Sequence, residues 1–270
     1  MADSRAIGIF DSGLGGLTVA KQIMSLCPDE SIVYFGDTGR VPYGTKGVDT
    51  IRKYAAEDIR FLLGKDVKMI VAACGTVSAV AADAGKDLSV PFIEVISHSV
   101  KDAAAATVNG KIGVLATPAT VKSHAHKNLI EKLMPKAQVF ETAAPLLVSL
   151  AEEGLYGKKN EIARLTVEHY LNGMKNMGID TLILGCTHFP VFRELISDYL
   201  PGVTLIDMGL SAAKYVKETL EKTGSRNTGE AHAHYFYVSD KPVTFEKTVK
   251  IFLGENAEDL KTDLVDVEKI

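Results

Sequence analysis

Cysteine is scarce in this chain: Cys27, Cys74 and Cys186 are the only three among 270 residues. They are too few and too widely spaced for a disulfide framework, and the close ligand spacings of a zinc finger are missing, so reduced thiols are expected. Long apolar runs are also missing. The charge-free stretch 69–82 is shorter than the ~20 residues that cross a bilayer, and the Met-Ala-Asp-Ser start has no basic segment followed by an apolar one. The expectation is a soluble, cytoplasmic protein with no membrane partner. Basic runs are absent too: the net charge of -4 comes from interspersed acids and bases, which leaves no electrostatic footprint for nucleic acid. No Gly/Ser/Pro-rich linker or low-complexity tract divides the chain.

What is present is a hydrophobic content of 46%, enough for a substantial core. Short β-rich apolar runs at 5–10, 31–35, 69–73, 91–95, 111–115, 137–140, 181–184 and 203–206 alternate with amphipathic segments, the pattern of parallel strands joined by crossover helices. Helical stripes are drawn by Leu17, Ala20, Met24 and Cys27, and by Ala163, Val167, Tyr170, Leu171, Met174 and Met177. Cys27 falls on the first stripe, before Pro28, and reads as a core residue.

A weak internal repeat organises the rest. Ile7-Gly8-Ile9-Phe10-Asp11-Ser12 resembles Ile112-Gly113-Val114-Leu115-Ala116-Thr117, and the run ending in Cys74-Gly75-Thr76 resembles the run ending in Cys186-Thr187. Each half therefore carries a strand ending in an acid or hydroxyl and a later strand ending in cysteine. The expected fold is α/β, with two pseudo-symmetric domains, each a mostly parallel sheet flanked by helices: 1–98 with 208–270, and 99–207. An Ala-rich helix marks the boundary near 98–108, and 233–270 reads as a strand plus an amphipathic helix returning to the first domain. Ligands bind beyond the carboxyl ends of parallel strands, so both cysteines would face a cleft between the halves.

At a strand end opening a helix, unpaired N–H groups favour a thiolate and hold carboxylates. A single buried cysteine is a space filler by default, but two at equivalent positions suit a reaction that removes a proton from one face of a carbon and returns it to the other. The glycine-rich segment 11–18 invites a dinucleotide reading, with Asp37 as the ribose acid. Thr18 at the third glycine position and the carboxylate of Asp11 beside any phosphate argue against it. The turn Pro42-Tyr43-Gly44 offers backbone donors. His188 lies two residues after Cys186 and is placed to orient or protonate a group there. Zinc on Cys74, Cys186, His188 and Asp11 lacks the usual spacing. The pairs His124/His126 and His232/His234 read as surface histidines.

Four segments, IGIFDSGLGGLT (7–18), DTGRVPYGTK (37–46), ACGTVS (73–78) and LGCTHFP (184–190), together resemble the motif set of the aspartate/glutamate racemase family, most closely its glutamate members. That resemblance implies a cofactor-independent racemase with no metal, in which Cys74 and Cys186 exchange protons with Cα of glutamate, Asp11 assists the first, and His188 with Glu152 (or its neighbour Glu153) assists the second. It carries over Asp11, Ser12, Tyr43, Gly44, Gly75, Thr76, Thr187 and His188 as substrate contacts, with Thr117 and Thr120 as further hydroxyls. It also implies a homodimer and a D-glutamate product used in peptidoglycan synthesis. Two positions depart from the family's habit: Gly75 where asparagine is frequent, and Gly39 where alanine is. An aspartate racemase and a non-catalytic amino-acid binder stay open at this point; comparing L-glutamate with L-aspartate separates the first, and solvent-deuterium entry at Cα the second.

Overall fold

The structure, a computed structural model, describes residues 2–229, 233–241, 243, 245–254 and 262–269. The first half runs β1 (Ile7–Asp11), α1 (Leu17–Leu26), β2 (Ile32–Gly36), α2 (Val48–Leu63), β3 (Met69–Ala72), α3 (Gly75–Val80), β4 (Phe92–Glu94). Helix α4 (Val95–Ala106) leads to β5 (Lys111–Ala116), α5 (Pro118–Ser123), α6 (Ala125–Leu133), β6 (Gln138–Ala143), α7 (Pro145–Glu152), α8 (Glu161–Met177), β7 (Thr181–Gly185), α9 (Arg193–Tyr199) and β8 (Thr204–Asp207). Helix α10 (Met208–Thr223) then returns to β9 (Tyr235–Val238), α11 (Phe245–Leu253) and β10 (Thr262–Leu264). All eight expected strands are present, each shifted by at most a few residues.

Two sheets form, ordered β10-β9-β2-β1-β3-β4 and β6-β5-β7-β8, and every pairing is parallel. The order β2-β1-β3-β4 in one matches β6-β5-β7-β8 in the other, so the repeat read in the sequence is a repeat of topology. Parallel strands buried on both faces need apolar residues at consecutive positions. In β1, Ile7 and Ile9 join one core while Phe10 joins the other. The repeated glycines have a packing cause. A Cβ on Gly8 would lie 3.1 Å from Val67, and one on Gly113 would lie 2.7 Å from Ile179, so in each half the returning chain passes close over the first strand.

The two connecting helices are equivalent as well. Each begins at an acid that caps it: the Glu94 carboxylate accepts from the Ile96 and Ser97 amides at 2.7 and 2.9 Å, and Asp207 from Gly209 and Leu210 at 2.8 and 3.2 Å. Helix α4 packs on α6 of the second half, α10 packs on α1 of the first, and the two pack on each other. A continuous core cluster therefore joins Ile7 and Ile9 to Ile112 and Val114. No helix of the described residues is long and apolar enough to cross a membrane.

Several expectations differ from the structure. Strand β10 extends the first sheet by pairing with β9. Met177 ends its helix half-exposed instead of completing the stripe, while Cys27 is buried as expected. His124 and His126 flank a helix junction, not a strand: His124 is left-handed with its Nδ1 2.5 Å from a Glu141 carboxylate oxygen, and His126 is fully buried. His232 lies outside the described residues. Neither ring nitrogen of His126 has a hydrogen-bond partner among the described residues, and burial pushes its pKa down from 6.5 to about 4. The folded protein thus keeps His126 neutral where the unfolded chain would take a proton. The contribution of His126 to stability is full above pH 6.5 and is lost as pH drops toward 4, by up to about 1.4 kcal/mol per pH unit. His126→Leu is expected to flatten this part of the profile, measured by urea unfolding between pH 7 and pH 4.5; an unchanged slope would contradict the assignment.

Candidate active site

Most of the expected site residues lie at the carboxyl end of a strand or in the segment that follows, where the two halves meet, while Glu152 is the last residue of α7 and Thr120 lies within α5. A cavity of about 310 Å³ is lined there by Ser12, Tyr43, Gly44, Cys74, Gly75, Thr76, Thr117, Glu152, Cys186, Thr187 and His188 among others. That volume is at the small end of the roughly 300–1,000 Å³ typical of small-molecule pockets. Asp11 stands just behind the lining, 1% exposed.

Cys74 follows β3 and occupies the N-cap of α3. Its thiol donates to Ser12 Oγ at 3.5 Å. Asp11 ends β1; its Oδ2 accepts from the Gly13 amide at 2.9 Å, while Oδ1 has no partner among the described residues. Burial raises the Asp11 pKa above the usual carboxylate range, against the pull of His188 and of the Gly13 and Gly16 amides. At Cys74, burial and then the adjacent Asp11 push the thiol up to about 12. The expected stabilisation of a thiolate at this helix start is thus outweighed: desolvation of a buried charge wins over a few N–H dipoles, and Cys74 rests as a thiol.

Cys186 follows β7 and is set differently. It precedes a single 3₁₀ turn, Phe189–Phe192, with Pro190 in its opening positions, and α9 starts only at Arg193. Its Sγ lies 3.7 Å from His188 Nδ1, and His188 Nε2 lies 3.2 Å from Glu152 Oε1. Burial alone would lower His188, but the bonds to Cys186 and Glu152 raise it to about 10. An imidazolium beside the sulfur is a counter-charge for a thiolate. Glu152, not Glu153, faces the histidine. The two thiols thus line one cavity with opposite supports, a buried carboxyl behind Cys74 and a cation behind Cys186.

Hydroxyls bridge the halves: Thr76 Oγ1 and Thr117 Oγ1 are 3.0 Å apart, and Thr18 donates to the Thr187 carbonyl at 3.0 Å; within the second half Thr117 Oγ1 is also 3.0 Å from Thr120 Oγ1. Glycines make the approach close. A Cβ would fall 2.4 Å from Thr187 Oγ1 on Gly15, 2.9 Å from Thr117 Cβ on Gly44, and 2.9 Å from the Gly185 carbonyl oxygen on Gly75. The glycine segment after β1 is therefore an inter-half packing surface, tied down by Tyr34, whose hydroxyl donates to the Gly13 carbonyl at 2.8 Å, and not a phosphate cradle.

The Tyr43 side chain has buried partners of its own. Its hydroxyl donates to Asp37 in a short bond and reaches Asp58 at 3.2 Å, in a buried cluster that includes Arg40 and Glu57. Tyr43 nonetheless lines the cavity, and Asp37 serves this cluster instead of a ribose. Among the described residues no group of three or more His, Cys, Asp or Glu side chains is arranged to hold a metal ion. Arg40, Asp58 and Tyr34 were not singled out by the sequence reading, because their roles depend on partners far away in the chain.

The family described as Asp/Glu/Hydantoin racemase matches residues 15–216. A glutamate racemase of Geobacter metallireducens is 42% identical over 269 residues, covering 98% of each chain, and one of Neisseria gonorrhoeae is 45% identical over 260 residues, covering 95% of this chain and 96% of that one. The crystal structure of glutamate racemase from Francisella tularensis in complex with D-glutamate superposes with a TM-score of 0.92 at 38% identity, covering 99% of this chain and 100% of that one. From the geometry alone, Glu152→Gln is expected to move the His188 titration midpoint well below 10, as followed by NMR of ring-labelled histidine; an unshifted midpoint would show that Glu152 does not hold the charge.

Proposed function

The chain belongs to the Asp/Glu/Hydantoin racemase family, and from that premise we propose that it interconverts L- and D-glutamate by proton transfer between Cα and two thiols. The observation that carries this reading is that Cys74 and Cys186, at equivalent strand ends of the two halves, line one small cavity. We take 1–98 with 208–270 as one domain and 99–207 as the other, with the cavity as the cleft between them.

The supports of the two thiols are complementary. A thiolate on Cys186, facing the His188 imidazolium, takes the Cα proton from one face, and the Cys74 thiol gives its own proton to the other. The sulfurs then hold the opposite protonation, ready for the other enantiomer. Asp11, lifted by burial, is poised to take the Cys74 proton and return it. The carbanion-like charge spreads onto the α-carboxylate, where the N–H groups opening α3 at Gly75 and Thr76 and the hydroxyls of Ser12 and Thr187 are the donors, each worth about 3 kcal/mol when well aimed. Tyr43 and Gly44 contribute backbone to the substrate site. A cleft that tightens on substrate would exclude water and bring each sulfur to Cα. By the same family reading the enzyme needs no cofactor, works as a cytoplasmic homodimer, and its D-glutamate supplies peptidoglycan synthesis.

Gly75 lacks the amide of the asparagine frequent in the family, yet the Gly185 carbonyl 2.9 Å from its would-be Cβ and Met208 Cε at 3.1 Å leave no room for that side chain. Gly75→Asn is accordingly expected to cost about 1–3 kcal/mol of stability and to lower activity, with thermal melting and a polarimetric assay as the readouts; a gain in activity would show that the strand ends part easily. Cys74→Ala and Cys186→Ala are each expected to reduce racemisation by at least ~1,000-fold with the fold intact, as for loss of a residue acting in the transition state. Full turnover by either variant would refute the two-thiol scheme.

A further inference from the structure

The repeat accounts for the two thiols but not for the difference between their supports. Strands β9 and β10 and helix α11 have no counterpart in the second half, and α11 reaches His188 from behind the cavity lining while packing on α1 of the first half. Its Phe252, 2% exposed, sets its ring against His188 with centroids 5.3 Å apart and planes at 88°, the edge-to-face arrangement that aromatic rings prefer. One turn earlier, Thr248 Oγ1 donates to the Glu152 carbonyl at 3.5 Å and Lys247 Nζ to the Glu153 carbonyl at 2.6 Å. The chain turns there through Gly154 at φ +72, and a Cβ on that glycine would lie 2.9 Å from Lys247 Cε, so the turn is shaped to admit the lysine. One helix thus touches the ring of His188 and the helix end that carries its carboxylate partner.

We infer that α11, through Phe252 and Lys247, is a positioning element for the Cys186 side of the cleft, holding His188 and Glu152 in line with that thiol. This rests on the two-thiol racemase reading. The helix touches no reacting atom; it fixes the orientation of the pair that balances charge on Cys186. Among the described residues no equivalent helix backs Cys74, whose neighbour Asp11 ends strand β1.

Loosening α11 should therefore weaken proton transfer at one thiol only. For the enantiomer whose proton goes to Cys74, the first step is intact, but reprotonation by Cys186 slows. The intermediate then returns through Cys74, by then carrying a solvent deuteron in D₂O, and unreacted substrate becomes labelled without inversion. For the other enantiomer the impaired first step lowers labelling and inversion together.

The test is Phe252→Leu, which keeps apolar bulk but removes the ring, and Lys247→Met at an exposed position, which keeps the stem and cannot hollow the core. Each is assayed in D₂O with both enantiomers, following Cα labelling by NMR and inversion by circular dichroism. The expected result is a kcat lower by roughly 10- to 100-fold for Phe252→Leu, as for misplacement of a catalytic group, with a smaller loss for Lys247→Met. In both, the ratio of labelling to inversion rises for one enantiomer alone. A merely structural role would reduce both rates in proportion for both enantiomers, and that outcome, or unaltered rates, overturns the inference. If the unsubstituted chain neither labels nor inverts glutamate, the racemase reading itself fails and the inference with it.

Discussion

Two thiols buried in one small cavity are the groups on which the proposed proton transfer depends, and burial of their sulfurs is the constraint that most of the site answers. Desolvation favours the neutral form of a thiol, which suits an acid and defeats a base. The structure divides the problem. Behind Cys74 stands a carboxyl that burial has itself pushed toward protonation, and behind Cys186 stands a histidine that Cys186 and Glu152 keep charged. One sulfur is thereby held as a donor, the other is given a counter-charge, and the same cavity serves both.

The scaffold brings those groups together by repetition and close approach. Two sheets with the same strand order present equivalent strand ends to one another, and crossover helices α4 and α10 tie each half to the other's first helical layer. At the junction the chain uses glycine wherever backbone must meet a neighbour across the cleft, at Gly15, Gly44 and Gly75. A glycine-rich turn after a first strand is compatible with phosphate binding in the abstract; here Gly15 packs against Thr187 and His188, Gly13 against Val41 and Gly16 against Asp11 and Tyr34.

The eight strands, the repeat and the convergence of the cysteines were legible because each rests on local pattern: continuous apolar runs for doubly covered parallel strands, and cysteine placed at the same point in both halves. Less legible was whatever depends on distant partners. Cys74 sits at a helix start, a position that by itself predicts an acidic thiol; only the depth of burial and the facing Asp11 reverse that expectation. That the Tyr43 hydroxyl is tied to Asp37 and Asp58 depends on a residue fifteen positions away, which no local pattern announces. His126 looks like a surface histidine because nothing within its own helix announces that Gly185 and its neighbours close over it. The choice between Glu152 and Glu153 turns on helix phase at the end of α7, which sequence spacing fixes too loosely to decide.

The central claim, that sulfur bases act from opposite faces of one stereocentre, is tested most directly by following unsubstituted protein and a single glutamate enantiomer in D₂O at low conversion. The account predicts that nearly all newly formed product carries deuterium at Cα while the remaining substrate stays protiated, because the incoming proton comes from a different thiol, equilibrated with solvent, than the one that removed the original. Product that retains the substrate's own hydrogen, or substrate and product labelled at equal rates, would point to a single base and contradict it.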